Sequence, residues 1–230
     1  RHPAAVADPR SYDPALYEMM HRGTPGDAAF YARRLAGARR VLELGCGYGR
    51  MLSALASALS ETELTGLELH PGLLERARAR LPERVRLLEG DMRALPPELP
   101  PQDAIIAPYS TLWCLPSDAD ALSCFRSVWA RLAPGRRFLF DAYGADLFHE
   151  AEAEDEDDGP RFVADLHAEG RALRVFERAL WRPAKRAFTV RYEHVPLDGG
   201  APLEGTIEHH YILAEPLRAL LTVAGFDEVR

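Results

Sequence analysis

Residues 41–50 constrain the fold of this 230-residue chain more than any other segment. The apolar run at residues 41–44 leads into three glycines at alternate positions, Gly45, Gly47 and Gly49, and then into a helical pattern. Glycines let a strand turn sharply into a helix, and they let the backbone approach a ligand without a Cβ in the way. The segment therefore predicts a strand, a tight ligand-binding turn and a helix.

Two acidic residues accompany this turn. Glu68 closes the next apolar run, and a carboxylate at that position can accept hydrogen bonds from both hydroxyls of a ribose. Glu43 precedes the first glycine by two positions, where it would repel a pyrophosphate but suit a ligand that carries an ammonium group. The spacing G-x-G-x-G also differs from the G-x-G-x-x-G of dinucleotide sites, so NAD is not expected to compete. Together these residues predict a nucleoside-cofactor site at the switch point of an open parallel sheet.

Strand and helix patterns alternate from residue 40 to residue 141. Such alternation implies right-handed crossovers and a parallel sheet with helices on both faces. We predict strands over residues 40–44, 63–69, 85–89, 104–107 and 137–141, and helices over residues 14–22, 27–35, 50–59, 71–80, 118–132 and 214–224. The predicted fold class is α/β, with a Rossmann-like, doubly wound and mostly parallel sheet.

The pattern changes near residue 150. Residues 150–158 are almost all acidic and predict a solvated, mobile loop, because like charges repel and cannot be buried together. Residues 162–213 alternate around the turn signal at residues 198–200, which predicts antiparallel strands, and residues 226–229 predict one more strand. We therefore divide the chain into a helical lid (1–39), a cofactor-binding core (40–149 and 214–230) and an acidic loop with an antiparallel insertion (150–213).

Composition excludes several classes of protein. A net charge of −7 argues against a surface for nucleic acid or an anionic membrane, since both need a basic face. The cysteines at positions 46, 114 and 124 predict neither a disulfide framework nor a metal site. No apolar run reaches the roughly 20 residues of a membrane helix, and no secretion signal is recognised. We expect a cytoplasmic monomer or homodimer that binds a small molecule, without nucleic acid, membrane or metal.

The pattern E-x-G-x-G-x-G resembles motif I of class I S-adenosylmethionine-dependent methyltransferases, and the order of predicted elements is similar over nearly the whole chain. The resemblance implies that the glycine loop wraps the methionine half of S-adenosylmethionine and that Glu68 holds its ribose. It also implies adenine contacts at Asp91 and Met92, and a place near the reacting methyl group for Pro108 and Tyr109. The implied cofactor-binding set is Glu43, Gly45, Cys46, Gly47, Gly49, Glu68, Leu69, Asp91, Met92 and Pro108.

Within that family the chain looks most like the small-molecule amine branch, which includes the N,N-dimethyltransferases of amino sugars. The resemblance implies methyl transfer to an amine nitrogen in secondary metabolism. An amine acceptor has to lose its proton, and a side chain with a pKa near neutral can help. The candidates are Tyr17, Tyr109, His209 and His210. Neighbouring strand residues face opposite sides, so only one of the two histidines can face the pocket; a purely structural role stays open for each.

Two alternative functions stay open. An O-methyltransferase of a small metabolite would share the cofactor site and differ in its acceptor pocket. A catalytically silent subunit would bind the cofactor without transferring its methyl group. A nucleic-acid amino-methyltransferase is disfavoured, because residues 107–109 read Ala-Pro-Tyr where that class has Asp or Asn, then Pro-Pro and an aromatic residue.

Overall fold

Five parallel strands form the central sheet of the computed structural model, in the order β3-β2-β1-β4-β5. The model describes residues 11–168 and 170–229. The strands are β1 (Arg40–Leu44), β2 (Glu63–Glu68), β3 (Arg86–Glu89), β4 (Gln102–Ala107) and β5 (Leu132–Phe140). The helices are α1 (Pro14–Met20), α2 (Asp27–Leu35), α3 (Arg50–Ala58), α4 (Pro71–Arg80), α5 (Asp118–Arg131) and α6 (Ala214–Ala224). The predicted Rossmann-like α/β sheet is confirmed, and its strand order reverses beside β1, which places a ligand crevice at the carboxyl end of that strand.

Helices cover both faces of the sheet, and this explains why its central strands are almost continuously apolar. Val41 and Ile106 are fully buried on the face covered by α2 and α3. Leu42 and Ile105 are fully buried on the opposite face, against α5 and α6. Neighbouring residues of β1 and β4 therefore belong to different core clusters, and the glycine loop after β1 is held between two packed layers.

A second, antiparallel sheet follows the parallel one. Its strands are β6 (Glu156–Asp157), β7 (Arg161–Ala168), β8 (Arg171–Arg182), β9 (Ala187–Pro196) and β10 (Leu203–His210), in the order β10-β9-β8-β6, with β7 also paired to β8. The predicted antiparallel insertion is confirmed. The acidic segment is not entirely a loop, because Glu156 and Asp157 pair with Trp181 and Leu180 on the edge of β8. Arg178 binds the Asp157 carboxylate at 2.7 Å, which offsets the like-charge repulsion on which the loop prediction depended.

The strand predicted over residues 226–229 is wrong. After α6 the Phe226 N–H donates to the Leu221 carbonyl at 3.1 Å, and the Phe226 ring packs edge-on against Trp129 at 5.2 Å. The Val229 carbonyl accepts a hydrogen bond from Arg218 at 2.9 Å. These backbone groups close the end of α6 instead of extending the sheet.

The antiparallel sheet lies against the carboxyl end of the parallel sheet. His209 in β10 contacts Tyr143, which follows β5, and Gly205 in β10 packs so closely under the Tyr12 ring that a Cβ there would collide with it. Within the described residues, no helix combines the length and the apolar character needed to cross a bilayer. Residues 1–10 of the predicted lid, residue 169 of the insertion and residue 230 lie outside the described residues.

Candidate active site

The loop between β1 and α3 holds its three glycines at positive φ: 60° for Gly45, 55° for Gly47 and 83° for Gly49. An L side chain is strained in that region. A Cβ at Gly45 would also lie 2.6 Å from the methyl carbon of Thr111, whereas one at Gly47 would meet only the Tyr17 ring, at 3.9 Å. Conformation and space therefore both require glycine at Gly45, and conformation alone requires it at Gly47.

Glu68 lies at the carboxyl end of β2 and is only 8% exposed. One carboxylate oxygen accepts from the Gly47 N–H at 2.8 Å and the other accepts from the His70 N–H at 2.8 Å. Burial raises the pKa of Glu68, and these backbone hydrogen bonds lower it by a smaller amount. Each oxygen retains a further lone pair, so the carboxylate can also accept from ribose hydroxyls. Glu68 therefore supports the glycine loop as well as facing the ligand crevice, and its spacing from the loop did not indicate the first of these roles.

Glu43 lies behind the same loop and is 4% exposed. Its Oε2 atom has no hydrogen-bond partner among the described residues. Burial raises the pKa of Glu43 well above its usual range; Arg50 lowers it, and the carboxylates of Glu68 and Asp27 raise it further. A buried carboxyl oxygen without a partner is costly, and a ligand ammonium group would satisfy it. This unpartnered acceptor therefore fits the ammonium end of S-adenosylmethionine.

The residues predicted to contact adenine provide apolar surface and one carboxylate that already accepts hydrogen bonds from an arginine. Leu69 is 39% exposed although it directly follows a buried strand, and Met92 is half-buried beside the core. Both oxygens of Asp91 accept hydrogen bonds from Arg93, at 2.9 and 3.0 Å, and Arg93 also binds Asp120 at 2.7 Å. The hydrogen bonds from Arg93 lower the pKa of Asp91. An adenine amine would have to share this carboxylate with a guanidinium, so the role of Asp91 stays a prediction.

The other two predicted cofactor residues shape the backbone around the crevice. Cys46 is buried inside the glycine loop, and burial raises the pKa of its thiol well above its usual range. Its Sγ atom occupies the space over Gly66, where a Cβ would lie 2.7 Å away. The Pro108 carbonyl accepts from the Thr111 hydroxyl at 2.6 Å and so fixes the turn after β4. Both residues are better explained by packing than by contact with a charged ligand group.

The segment around α1 lies over the glycine loop. The Tyr17 and Tyr48 rings are 6.5 Å apart, and the Tyr48 hydroxyl donates to the His21 carbonyl at 2.9 Å. The Nδ1 atom of His70 accepts from the first N–H groups of α4, so its Nε2 atom carries the proton and donates to the Tyr12 carbonyl at 3.0 Å. The segment from Tyr12 to His21, called the lid segment below, is thus attached at both ends, and Tyr17 within it lies over the glycine loop.

Buried aromatic and imidazole side chains connect this lid to the antiparallel sheet. The Tyr12 ring lies 5.7 Å from His21, 6.1 Å from Tyr192 and 6.2 Å from His194. The Tyr12 hydroxyl and the Nε2 atoms of His21 and His194 are buried without a hydrogen-bond partner among the described residues. Burial lowers the pKa of His21 and of His209 to about 4. His21 and His209 are therefore uncharged at neutral pH.

The two predicted histidines of β10 point in opposite directions. The Nδ1 atom of His209 lies 3.2 Å from the Tyr143 hydroxyl, and the two rings stack at 5.7 Å. The Nε2 atom of His210 lies 2.8 Å from the Asp118 carboxylate, which also accepts from Arg186 at 2.7 Å. His210 therefore joins the antiparallel sheet to α5, whereas His209 packs against Tyr143, which follows β5.

Tyr109 follows β4 in a strained turn. Tyr109 and Ser110 both have left-handed backbones, with φ of 59° and 57°, which cost roughly 1–3 kcal/mol each for residues other than glycine. Asp141 holds this turn, because one carboxylate oxygen accepts from the Tyr109 N–H at 3.0 Å and the other from the Tyr31 hydroxyl at 2.7 Å. Asp141 was missed in the sequence, although its place just after β5 was a signal that could have found it.

Comparisons with known proteins agree with this geometry. Residues 41–135 match the family model of a methyltransferase domain. The chain is 39% identical over 101 residues to trans-aconitate 2-methyltransferase of Methylobacterium nodulans (44% of this chain, 37% of the relative). It is 32% identical over 139 residues to malonyl-[acyl-carrier protein] O-methyltransferase of Halorhodospira halophila (57% of this chain, 45% of the relative). The chain thus spans less than half the length of these curated relatives.

Solved structures resemble nearly the whole chain. The S-adenosylmethionine-bound structure of CalS10, an amino pentose methyltransferase from Micromonospora echinaspora, has a TM-score of 0.71 at 25% identity, covering 98% of this chain and 91% of that one. The CcbJ methyltransferase from Streptomyces caelestis has a TM-score of 0.75 at 23% identity, covering 94% and 86%. The predicted resemblance to class I S-adenosylmethionine-dependent methyltransferases is therefore confirmed, by the family model for residues 41–135 and by the fold for the chain as a whole.

Proposed function

We propose that this chain transfers a methyl group from S-adenosylmethionine to an amine nitrogen of a small molecule. The observation that carries the acceptor class is the pair of buried histidines His21 and His209, whose surroundings we take as the acceptor side; burial lowers the pKa of both to about 4. Neutral imidazoles give an anionic acceptor no positive partner, whereas a neutral amine needs none.

The carboxylates of the crevice would hold the cofactor. Glu68 would accept from the ribose hydroxyls, and the Oε2 atom of Glu43 would accept from the ammonium group. When bound, S-adenosylmethionine supplies a methyl group on a positively charged sulfur. The negative charge of Glu43 and Glu68 would favour binding of this cation over binding of the uncharged thioether product.

The remaining work of the protein is alignment. Orienting two reactants can contribute roughly 7–11 kcal/mol to the lowering of a barrier. Tyr17 lies over the glycine loop and would exclude water that competes for the methyl group. Burial raises the pKa of Tyr17 well above its usual range, so its hydroxyl stays protonated and serves to position the acceptor rather than to act as a base.

The buried surroundings of the acceptor, rather than a general base, favour the unprotonated form of its amine. Burial disfavours a bound ammonium for the same reason that it disfavours the charged forms of His21 and His209. The Nδ1 atom of His209 is engaged by Tyr143, which leaves Nε2 to meet the acceptor. We assign to His209 and Tyr109 the positioning of the neutral amine. His210, paired with Asp118, has no catalytic part in this proposal.

A carboxylate acceptor is the second candidate, because relatives named for trans-aconitate and malonyl-[acyl-carrier protein] match at 39% and 32% identity. Those matches cover 44% and 57% of this chain. CalS10, which is named as an amino pentose methyltransferase, matches 98% of it, including the antiparallel sheet that borders the acceptor side. The wider match supports the amine.

A turnover assay separates these functions. The protein is incubated with S-adenosylmethionine and with separate panels of small amines, phenols and carboxylates, trans-aconitate included, and products are identified by mass. We expect amine products that gain one or two methyl units, at a rate that rises with pH as free base accumulates. Methylated carboxylates or phenols with untouched amines would establish the oxygen alternative. Cofactor binding without turnover in any panel would indicate a silent subunit.

A further inference from the structure

Four aromatic side chains beside the acceptor side form a ring in which each contacts two others. Neighbouring ring centroids are 6.3 Å apart for Tyr143 and Phe148, 5.0 Å for Phe148 and Trp181, 5.6 Å for Trp181 and Phe188, and 6.3 Å for Phe188 and Tyr143. We call these four residues the aromatic box. Three of its four contacts are edge-to-face, so the rings are not stacked into a single column.

The aromatic box lines an open cavity of about 380 Å³. An adjoining cavity of about 350 Å³ shares Phe148, Trp181 and Glu156 with it. Phe148 is 49% exposed although it is a large apolar side chain. A space of this size can admit the polar end of a small ligand.

Carboxylates complete the lining of these cavities. Glu156 and Asp158 line the first cavity, and Glu150 lines the second. Asp157, between Glu156 and Asp158, pairs instead with Arg178. Within residues 11–168 and 170–229, the carboxylates of Glu156 and Asp158 make no ion pair. Among the described residues these two carboxylates therefore present negative charge to the aromatic cavity without an ion-pair partner.

Aromatic faces and carboxylates together recognise one chemical class. A ligand cation is attracted to a ring when it lies within about 6 Å of the centroid, and nearby carboxylates add charge attraction. The spacing within the aromatic box allows a cation that contacts one ring to be within reach of the next. We propose that the aromatic box, with Glu156 and Asp158, binds a positively charged ammonium group.

The position of the box links it to the acceptor. Tyr143 belongs to the aromatic box through its ring, and its hydroxyl lies 3.2 Å from Nδ1 of His209 on the acceptor side. Resting on the proposed function, this contact assigns to the acceptor a second basic nitrogen, which is held as a cation in the box while the reacting nitrogen lies near His209. The acceptor is therefore a diamine or an amine that carries a quaternary ammonium group.

The binding step is tested without cofactor or turnover, so its outcome does not depend on the proposed function. Choline and its uncharged isostere 3,3-dimethylbutan-1-ol are titrated while the indole N–H signal of Trp181 is followed by NMR and assigned with Trp181→Phe. We expect a saturable shift with choline and at least tenfold weaker binding of the alcohol, a difference of about 1.4 kcal/mol. Equal affinity for the two probes, or no shift with choline, would overturn the proposal.

Charge-neutralising variants locate the site. The double change Glu156→Gln with Asp158→Asn should weaken choline binding at least tenfold. The control Asp157→Asn removes one carboxylate charge, against two in the double variant, from the same segment but outside the cavity, and should change affinity less than twofold. An equal loss of affinity in the control would show that the net charge of the segment causes the effect, and it would refute the aromatic box as the binding site.

The link to the acceptor is a separate measurement. In the turnover assay a diamine should have a KM about tenfold lower than the corresponding monoamine, and the double variant should remove that difference. Choline binding with equal KM values for the two amines would keep the cation site and refute its connection to the acceptor. Turnover only of carboxylates would refute the proposed function and leave the choline result standing.

Discussion

Replacing Glu68 by alanine should weaken S-adenosylmethionine binding roughly 10- to 150-fold. The carboxylate is 8% exposed, so a ribose hydroxyl that it accepts is bound away from most of the solvent. Hydrogen bonds to a charged group contribute roughly 1.5–3 kcal/mol, and each 1.4 kcal/mol is tenfold in affinity. Isothermal titration calorimetry measures the loss directly. Glu63→Ala is the matched control, because Glu63 begins the same strand, is exposed and, among the residues that the structure describes, forms an ion pair with Arg40 alone, at 3.1 Å.

Glu68 has a second, structural role, and a pair of ligands can separate it from binding of the ribose. Glu68 also accepts from the Gly47 and His70 N–H groups, so its removal loosens the loop as well. S-adenosylhomocysteine and its 2′,3′-dideoxy analogue separate the two effects, since only the former has hydroxyls to lose. The loss on Glu68→Ala should be at least tenfold smaller for the dideoxy ligand. Equal losses for the two ligands, or unchanged affinity, would refute the ribose assignment.

Three further predictions concern stability, measured by denaturant unfolding. Burial lowers the pKa of His21 from 6.5 to about 4, so between these pH values the unfolded chain binds a proton that the folded chain does not, and the free energy of unfolding falls as pH drops through them. His21→Gln should reduce this fall by up to about 1.4 kcal/mol per pH unit. Parallel curves of unfolding free energy against pH for the two proteins would contradict the prediction. Gly45→Ala should destabilise more than Gly37→Ala by roughly 1–3 kcal/mol, because both glycines have positive φ but only the first lacks space for a methyl group; equal losses would count against steric crowding. Asp141→Ala should cost roughly 1–3 kcal/mol by leaving the Tyr109 N–H without its acceptor, and Asp141→Asn should cost less; a neutral alanine variant would show that the strained turn holds itself.

Local patterns were sufficient for the parallel sheet. Each strand from β1 to β5 overlaps its predicted segment, since apolar runs punctuated by glycine and proline report burial directly. Helix α4 begins at Pro71 as predicted, because proline is tolerated at a first-turn position. The predicted C-terminal strand is wrong because four residues, of which only Phe226 and Val229 are apolar, cannot show whether a pairing edge or a helix end uses their backbone.

Long-range contacts were not readable from the sequence. The support of Tyr109 by Asp141 joins residues 32 apart, and the bond from His70 to the Tyr12 carbonyl joins residues 58 apart. The pairing of β6 with β8 was not readable either, because it accompanies the contact between Arg178 and Asp157, which are 21 residues apart. The division of the chain at residues 39, 149 and 213, and the roles of the site residues, stay predictions.

The attachment of the lid segment has a kinetic consequence. Tyr17 lies over Gly47, and the hydrogen bonds from Tyr48 and His70 hold the segment at His21 and Tyr12. We expect a ligand seated against the glycine loop to exchange only when these contacts open, so that the opening rate limits both its binding and its release. Tyr48→Phe should therefore speed cofactor release more than it changes equilibrium affinity. Stopped-flow displacement would measure the release rate, which reports the opening of the segment rather than the strength of the contacts to the cofactor.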